Sequence, residues 1–403
     1  MSEDHSEHSS QSSPSSTGLR GLPRRRLGRT GLELSILGFG GFHLVEIPAH
    51  TAARLLNRYL DEGGNYLETA ASYGDGTSES KIGAAVAHRR SEFHLGTKTT
   101  ARTAAGATRD LEASLRRLNT DHVDILFMHS VGTMQDLEAI TAGGGALEAA
   151  VQARAEGKVR YIGITAHGLP EALIAALDRY PFDVLMTGMN YFDRFNFPAV
   201  ERDLLPKAQR FGVGLLAMKP IADGFLWKSA AAAFRYTWGL PVTAIVAGIN
   251  TEGQLVADLE WARRWTPMTE KEREALFRDA PELGTYVCRQ CGECLPCAKG
   301  IDIPRVFELE GWYDRQLRDG VVRDASEYGM RERLRFWFNN KERARQEYAA
   351  LPVKADACGH GGEGAKSGDY GCQECEHRCP YGLDIPFKLN YADFKLDGDR
   401  PWF

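Results

Sequence analysis

Residues 123–129 read Val-Asp-Ile-Leu-Phe-Met-His, a short apolar run that ends in a histidine. Runs of this length, rich in β-branched and aromatic residues, predict buried β-strands. Seven similar runs precede or follow it, and segments of helical period separate them. Eight parallel strands, each followed by a helix, close into a (β/α)8 or TIM barrel. The predicted strands are Leu34–Phe39, Asn65–Thr69, Phe93–Thr97, Val123–Met128, Val159–Ile164, Val184–Met189, Val213–Met218 and Val242–Ala247.

Helical periodicity between these runs completes the βα pattern and sets the domain organisation. Apolar stripes predict helices over Asp110–Leu118, Leu147–Ala155, Glu171–Leu177 and Gln254–Trp265. We expect residues 1–20, rich in Ser, Glu and His, to be a disordered leader. The barrel is then predicted over residues 21–265, and a small, mainly α-helical domain over residues 266–403.

Composition narrows the classes of function. The chain has 403 residues, with 49 basic and 54 acidic ones, and this balance argues against a nucleic-acid partner. No apolar run is long enough to cross a membrane. Arg24, Arg25 and Arg26 could begin a twin-arginine export signal, but the charged residues that follow argue against one. We therefore expect a cytoplasmic protein.

All eight cysteines lie in the predicted second domain. The first run is C-x2-C-x2-C-x2-C, and the second is C-x2-C-x3-C followed by Pro380, with Cys358 upstream as a fourth member. This resembles the bacterial ferredoxin pattern, in which thiolates hold 4Fe-4S clusters. Zinc is the alternative, because four cysteines also satisfy a tetrahedral site. The candidate ligands are Cys288, Cys291, Cys294, Cys297, Cys358, Cys372, Cys375 and Cys379.

An internal repeat accompanies the cysteines. Residues 297–304 read Cys-Ala-Lys-Gly-Ile-Asp-Ile-Pro, and residues 379–386 read Cys-Pro-Tyr-Gly-Leu-Asp-Ile-Pro. Two copies of one cysteine–turn–helix unit are therefore predicted. In two-cluster ferredoxins the fourth cysteine of each run binds the other cluster. By that analogy Cys379 joins Cys288, Cys291 and Cys294, and Cys297 joins Cys358, Cys372 and Cys375.

Four polar residues fall at or after strand ends of the predicted barrel, where barrel enzymes carry their chemistry. They are Glu68, Tyr73, Lys98 and His129, and their settings resemble the catalytic tetrad of the aldo-keto reductases. The resemblance runs from about Leu27 to Pro386 and includes relatives with a C-terminal ferredoxin-like extension. It implies that Tyr73 donates a proton to a developing alkoxide and that the Lys98 ammonium lowers the pKa of this phenol. Glu68 would pair with Lys98, and His129 would orient the substrate oxygen.

The same resemblance implies a nicotinamide cofactor, but the chain departs from the family at several positions. Glu68 stands where the family has aspartate, and Ala166 and Met186 replace polar residues that hold the nicotinamide. No Lys or Arg occurs from Ala247 to Asp258, so selectivity for NADP is not supported. The positions aligned with the cofactor are Thr165, Met218, Lys219, Gly248, Asn250 and Gln254.

These patterns favour an oxidoreductase that transfers a hydride between NAD(P)H and a small carbonyl or alcohol substrate. Two 4Fe-4S clusters would serve electron transfer or structure, with an electron-transfer protein as a further partner. The alternative is a barrel that has lost its cofactor site and acts as an iron-sulfur electron-transfer or scaffold protein.

Overall fold

The computed structural model describes residues 21–314, 340–359 and 374–397. The predicted leader and Cys372 lie outside the described residues. Eight parallel strands form a closed barrel in which each strand hydrogen-bonds to the next along the chain, and the last strand closes on the first. The barrel strands are β3 (Leu37–Gly40), β4 (Tyr66–Glu68), β5 (His94–Thr99), β6 (Val123–Met128), β7 (Val159–Ala166), β8 (Val184–Gly188), β9 (Gly214–Met218) and β10 (Ala244–Gly248). The predicted barrel is confirmed.

The first predicted strand is in fact two strands. Residues 33–35 form β2 (Glu33–Ser35), which pairs antiparallel with β1 (Arg24–Arg26), and only the following residues enter the barrel as β3. The turn between β1 and β2 reverses at Gly31, whose φ of 78° lies in the left-handed region that favours glycine. A continuous apolar run does not reveal this change of partner.

The β1–β2 hairpin closes one end of the barrel. Leu27, Leu32 and Leu34 are buried and pack in one cluster with inward-facing barrel residues such as Phe127. The Tyr161 hydroxyl donates a 2.6 Å hydrogen bond to the carbonyl of Thr30. Barrel enzymes use the opposite rim, at the carboxyl ends of the strands, for their chemistry. The hairpin therefore leaves that rim as the open end.

Helices surround the barrel and begin where the sequence supplies caps. In α3, the Thr103 hydroxyl accepts a hydrogen bond from the backbone N–H of Gly106, and Asn119 ends the helix at a φ of 52°. The helices of this part are α1 (Ala49–Asp61), α2 (Thr77–Val86), α3 (Ala104–Leu118), α4 (Met134–Thr141), α5 (Ala146–Ala155), α6 (Glu171–Arg179), α7 (Asp193–Asn196), α8 (Leu205–Arg210), α9 (Ala230–Gly239) and α10 (Glu252–Arg263). The four helices expected from apolar stripes are present, with ends displaced by up to six residues.

The described residues after α10 are helices and turns. They include α11 (Glu270–Asp279), α12 (Ile303–Asp314), α13 (Lys341–Ala349) and α14 (Ile385–Leu396), with short helical turns at Ala355–Cys358 and Glu376–Arg378. The carboxylate of Glu310 is buried between the ammonium groups of Lys388 and Lys395, which joins α12 to α14. None of the described helices combines the length and the apolar character that a bilayer span requires.

The helical region packs on the open rim of the barrel. The carboxylate of Glu282 accepts hydrogen bonds from the backbone N–H and the hydroxyl of Ser229, at 3.1 and 2.8 Å. It also accepts one from the Tyr191 hydroxyl at 3.3 Å. Phe277 of α11 contacts Phe195 edge to face, with ring centroids 5.1 Å apart. The loops after β8 and β9 are thereby held beneath the residues that lead into the first cysteine run.

Candidate active site and cysteine cavities

The buried ammonium of Lys98 is the centre of the polar group at the open rim. It forms an ion pair with the carboxylate of Glu68 and donates a 2.8 Å hydrogen bond to the Tyr73 hydroxyl. A third hydrogen bond, also of 2.8 Å, goes to the carbonyl of Thr69. Parallel pairing of β4 with β5 brings Glu68 and Lys98 to the same end of the sheet. Three of the four predicted tetrad residues are therefore in direct contact.

The loop after β4 carries Tyr73 and is held by close packing. Gly74, Asp75 and Gly76 all have positive φ values, of 57°, 51° and 87°. A Cβ on Gly76 would lie 2.2 Å from the Arg117 guanidinium, and its φ of 87° also disfavours residues other than glycine. The loop thus holds the phenol in one position relative to Lys98.

Glu79, near the start of α2, supports this arrangement. The buried carboxylate of Glu79 accepts a 2.6 Å hydrogen bond from the Thr97 hydroxyl, one residue before Lys98. It also pairs with the guanidinium of Arg117 on α3 at 2.6 Å. A buried carboxylate needs such partners to offset its desolvation. Glu79 therefore ties the start of α2 to the strand that carries Lys98.

The pKa values of Tyr73 and Lys98 differ from what the sequence led us to expect. We expected the Lys98 ammonium to lower the pKa of Tyr73, but desolvation raises the pKa of this phenol, and the neighbouring Tyr66 adds to the effect. Burial also lowers the pKa of Lys98 well below its ordinary value, because a charged ammonium is poorly solvated there. Tyr73 therefore stays protonated at neutral pH, as a proton donor must.

His129, which directly follows β6, lies beside the phenol. Its ring centroid is 5.8 Å from that of Tyr73, and Phe42 packs edge to face against the other side of Tyr73 at 5.1 Å. Burial, together with the positive charges of Lys98, His167 and Arg102, lowers the pKa of His129 to about 2. The imidazole is therefore neutral near pH 7. The structure brings all four predicted tetrad residues together.

Two residues that the sequence analysis missed hold and surround His129. The guanidinium of Arg102 donates to the carbonyls of His129 and Ser130, at 2.9 and 3.0 Å, and to the carboxylate of Asp136 at 3.0 Å. His167 directly follows β7 and lowers the pKa of His129 through its charge. Both residues follow barrel strands within a few positions, and loop position was the available signal.

The residues predicted to bind the cofactor lie at the same rim but make other contacts. The Thr165 hydroxyl accepts a 2.9 Å hydrogen bond from the N–H of Ser130, and the Lys219 ammonium pairs with Asp223 at 2.9 Å. Met218 contacts the inner barrel cluster, where Met186 is buried. Thr165 therefore holds the loop after β6, Lys219 holds the loop after β9, and Met218 packs against the inside of the barrel.

The loop after β10 collects three of the predicted positions. The Gln254 side chain accepts a 3.0 Å hydrogen bond from the N–H of Asn250, whose own amide donates to Glu46 at 2.9 Å. A Cβ on Gly248 would lie 2.4 Å from the ring of His43, so a larger residue would displace that ring. The loop is thereby fixed against residues 41–46.

Cations do reach this loop, although its own sequence has none. Arg54 and Arg58 of α1 form ion pairs with Glu252, the first residue of α10. Residues 247–258 contain no Lys or Arg, but the conclusion that no cation lies near the nucleotide positions holds only for the loop itself. A contact between α1 and α10 is not visible in local sequence.

Four cysteines line one cavity in the helical region, here named the Cys288 cavity. They are Cys288, Cys291, Cys294 and Cys379, and the remaining wall includes Arg289 and Tyr381. The N–H of Gln290 donates a 3.4 Å hydrogen bond to the sulfur of Cys288. Three of these cysteines belong to the first run and one to the second.

Three further cysteines, Cys297, Cys358 and Cys375, line a second cavity, here named the Cys358 cavity. The N–H of Lys299 donates a 3.4 Å hydrogen bond to the sulfur of Cys297. In each cavity, one cysteine comes from the other run, which is the grouping that the ferredoxin analogy predicts for the described cysteines. Cys372, the eighth predicted ligand, lies outside the described residues.

The repeated sequence has the same structure in both copies. Gly300 and Gly382 follow their cysteines at φ values of 75° and 65°, and each N–H donates back to the carbonyl of that cysteine. Asp302 and Asp384 then accept hydrogen bonds from the N–H three residues later, at 3.2 and 3.0 Å. A capped helix, α12 or α14, begins behind each turn. The predicted cysteine–turn–helix repeat is therefore present.

No three His, Cys, Asp or Glu side chains of the described ranges are placed to hold one metal ion. A zinc ion requires thiolate sulfurs at about 2.3 Å from a common centre. The cysteines that line each cavity do not converge in that way. A site for a larger group would space its cysteines more widely, because each thiolate then binds a different iron atom.

Comparison with known proteins identifies the family. Residues 36–239, just over half of the chain, match the aldo/keto reductase family. The chain is 30% identical over 218 residues to L-galactose dehydrogenase of Arabidopsis thaliana, covering 50% of this chain and 66% of that protein. It is 32% identical over 225 residues to an uncharacterized oxidoreductase of Bacillus subtilis, covering 50% of this chain and 67% of that one.

Solved structures give the same result for the barrel. The holo form of an aldo-keto reductase from Bacillus halodurans superposes with a TM-score of 0.56 at 26% identity, covering 65% of this chain and 97% of the other. An aldo-keto reductase structure from Pseudomonas aeruginosa has a TM-score of 0.54 at 27% identity, covering 61% and 98%. These matches leave about a third of the chain uncovered. The chain belongs to the aldo/keto reductase family, which is a family of oxidoreductases.

Proposed function

We propose that the chain is an NAD(P)H-dependent oxidoreductase that interconverts a small carbonyl compound and the corresponding alcohol. The observation that carries this proposal is the Lys98 ammonium, held between the carboxylate of Glu68 and the hydroxyl of Tyr73, with neutral His129 alongside. These groups lie at the carboxyl ends of neighbouring strands, where a substrate can reach them. Proton donation to an oxygen is the chemistry that this arrangement supplies.

The residues divide the work of proton transfer. Tyr73 donates its hydroxyl proton to the oxygen that gains negative charge, and Lys98 stabilises the phenolate that remains. Glu68 keeps the lysine in place, and His129 donates a hydrogen bond to the substrate oxygen. A nicotinamide supplies the hydride to the carbonyl carbon when it is bound. In the direction of alcohol oxidation, Tyr73 takes the proton back.

The rim fits the reacting half of such a cofactor better than the nucleotide half. Lys98 and Glu68 are buried and Tyr73 is partly exposed, whereas the Thr165 hydroxyl already bonds to Ser130. Near the loop after β10, Glu46 and Glu252 bring negative charge, while Arg54 and Arg58 bring positive charge. Because both signs are present, NADH and NADPH are both candidates.

Nucleotide binding and turnover test this proposal. Anaerobic protein is titrated with NADH and with NADPH while tryptophan fluorescence is followed, and carbonyl-dependent nucleotide oxidation is then measured. We expect saturable binding of at least one nucleotide, and Tyr73→Phe should abolish turnover while its nucleotide Kd stays near that of the unaltered protein. Tyr161→Phe is the matched control, since its hydroxyl bonds to Thr30 at the closed end of the barrel.

Two results count against the proposal. Equal turnover by Tyr73→Phe would remove this residue from its role. Absence of saturable binding by either nucleotide would favour the alternative function, a scaffold or electron-transfer protein without a working cofactor site.

We also propose that residues 266–403 form a ferredoxin-like domain with two 4Fe-4S clusters, used for electron transfer to a protein partner or for structure. Support comes from the two cavities, the backbone N–H groups that donate to Cys288 and Cys297, and the repeated turns. Cys288, Cys291, Cys294 and Cys379 would hold one cluster, and Cys297, Cys358, Cys372 and Cys375 the other. Thiolate ligation by four cysteines per cluster fits this donor set.

Metal analysis tests the second proposal directly. Protein purified without oxygen should contain about eight iron and eight sulfide per chain. Stoichiometric zinc, or protein free of iron, would overturn it. We propose a cytoplasmic location as well, because closely spaced cysteines that hold clusters suit a reducing compartment better than structural disulfides do.

A further inference from the structure

The two cavities differ in the charge that lines them. The side chain of Arg289 is 6% exposed and forms part of the wall of the Cys288 cavity. Its guanidinium donates to the carbonyls of Phe277, Gly284 and Leu283, at 3.0, 2.8 and 3.3 Å. It also lies over the ring of Tyr381, with 4.9 Å between the guanidinium carbon and the ring centroid.

Among the residues that the structure describes, no carboxylate forms an ion pair with Arg289. Its further short contact goes to the carbonyl of Val287, which carries no net charge. Arginine keeps its charge in proteins, so burial cannot be relieved by loss of a proton. The carbonyl dipoles offset part of the desolvation, and a net positive charge remains in the wall of the cavity.

The Cys358 cavity has a cation of a different kind. Arg378 lines it, but its side chain is 37% exposed and pairs with the carboxylate of Glu374 at 3.3 Å. Lys299, the other cation in this wall, is exposed. Water and a neighbouring carboxylate therefore screen the positive charge at this cavity, whereas no carboxylate of the described ranges pairs with Arg289.

The buried charge suits an anionic occupant. A 4Fe-4S cluster with four thiolate ligands carries net negative charge, which increases by one on reduction. A fixed positive charge close to the cluster stabilises the reduced form more than the oxidised form, because Coulomb attraction grows with the charge of the partner. Net charge and solvent exposure are among the factors that set cluster potentials.

We propose that Arg289 compensates the negative charge of the cluster in the Cys288 cavity and raises its reduction potential above that of the cluster in the Cys358 cavity. This inference rests on the proposed clusters. The side chain acts through space and through the backbone it holds, without binding iron. The cluster in the Cys288 cavity is then the first to be reduced and the last to give up its electron.

A reductive titration of the full-length anaerobic protein tests this. Iron and sulfide are measured first, and dithionite is then added while the electron paramagnetic resonance signal is followed in the unaltered protein, Arg289→Lys, Arg289→Gln and Arg378→Gln. We expect two reduction steps in the unaltered protein. Arg289→Gln should lower the reduction potential of the upper step by at least about 59 mV, which is a tenfold change in the equilibrium constant for one electron.

The two other variants separate charge from structure. Arg289→Lys keeps the charge and loses the forked hydrogen bonds. The reduction potential of its upper step should therefore stay closer to that of the unaltered protein than to that of Arg289→Gln. Arg378→Gln is the matched control and should leave both steps within about twofold, because exposed ion pairs contribute little. If Arg289→Gln loses a cluster, a retained upper step in Arg289→Lys still supports the proposal.

Several outcomes overturn it. These are a single reduction step in the unaltered protein, an unchanged upper step in Arg289→Gln, and an Arg289→Lys variant that shifts as far as Arg289→Gln or loses its cluster. Protein that contains no iron at all refutes the proposed clusters themselves, and the metal analysis identifies that case before any titration.

Discussion

The barrel rim and the cysteine cavities assemble their residues in opposite ways. At the rim, Glu68, Lys98 and His129 each end or follow a different strand, and parallel register sets their relative height. The cavities instead collect cysteines from turns that lie far apart in sequence, such as Cys291 and Cys379, where the described residues form no strands. The first site is specified by local sequence and sheet register. The second depends on how two separated segments pack.

Replacement of Lys98 should have the largest effect on catalysis, and this effect should be confined to the barrel rim. Lys98→Met removes the group that stabilises the Tyr73 phenolate, so we expect kcat for carbonyl reduction to fall by about 10³. Iron content should not change. Lys207→Met is the control, because Lys207 also bonds to a backbone carbonyl and a carboxylate but lies on the outer surface. A loss of less than about tenfold would contradict the proposed role.

Pairs of cysteine replacements test the packing of the two segments. Cys288 and Cys379 line the same cavity. Each single replacement by alanine should therefore lose about four of about eight iron atoms, and the double variant should lose no more than that. Cys297→Ala combined with Cys379→Ala affects both cavities and should lose nearly all iron. Elemental analysis measures this. Loss of nearly all iron in the Cys288→Ala and Cys379→Ala double variant would instead show that each run holds its own cluster.

The buried carboxyl of Asp258, on α10 in the wall of the barrel, should make the stability of the protein depend on pH. Burial raises the pKa of Asp258 on α10 to about 8, whereas an unfolded chain titrates near 3.9. Between these values the unfolded chain has released a proton that the folded chain keeps, so stability falls as pH rises from about 4 to about 8. Asp258→Asn removes this cost and should gain about 1–2 kcal/mol at pH 7.

Thermal unfolding at two pH values measures this gain. At pH 4 the Asp258→Asn variant should show a much smaller gain, since the carboxyl is protonated in the folded chain and about half protonated in the unfolded chain. Glu260→Gln, on the exposed side of the same helix, is the control and should change little. An equal gain at both pH values would assign the effect to packing instead of to ionisation.

The smallest expected effect concerns the pH profile at the rim. Because the pKa of His129 is lowered to about 2, its ring stays neutral throughout the range in which enzymes are usually assayed. The profile of kcat/KM should therefore lack an inflection near the ordinary histidine pKa of about 6.5. An inflection there that disappears in His129→Gln would contradict this assignment.

Local sequence predicted the part of the molecule that local interactions determine. The eight barrel strands, the tetrad positions and the repeated turns at Gly300 and Gly382 all follow from short patterns. Contacts between distant segments were missed, such as Arg58 with Glu252. The direction of the Tyr73 pKa was also wrong, because spacing reveals a nearby ammonium but not the loss of water around the phenol.

The anchoring of two loops by Glu282 has a consequence for how this enzyme can diversify. Barrel enzymes acquire new specificities mainly by lengthening or rebuilding the loops at this rim. Here the loops that contain Tyr191 and Ser229 are tied to Glu282, so an insertion in either is compatible with this packing only if it keeps these hydrogen bonds. Evolution of substrate range is thereby directed to the other side of the opening, around Phe42 and the turn that carries Tyr73.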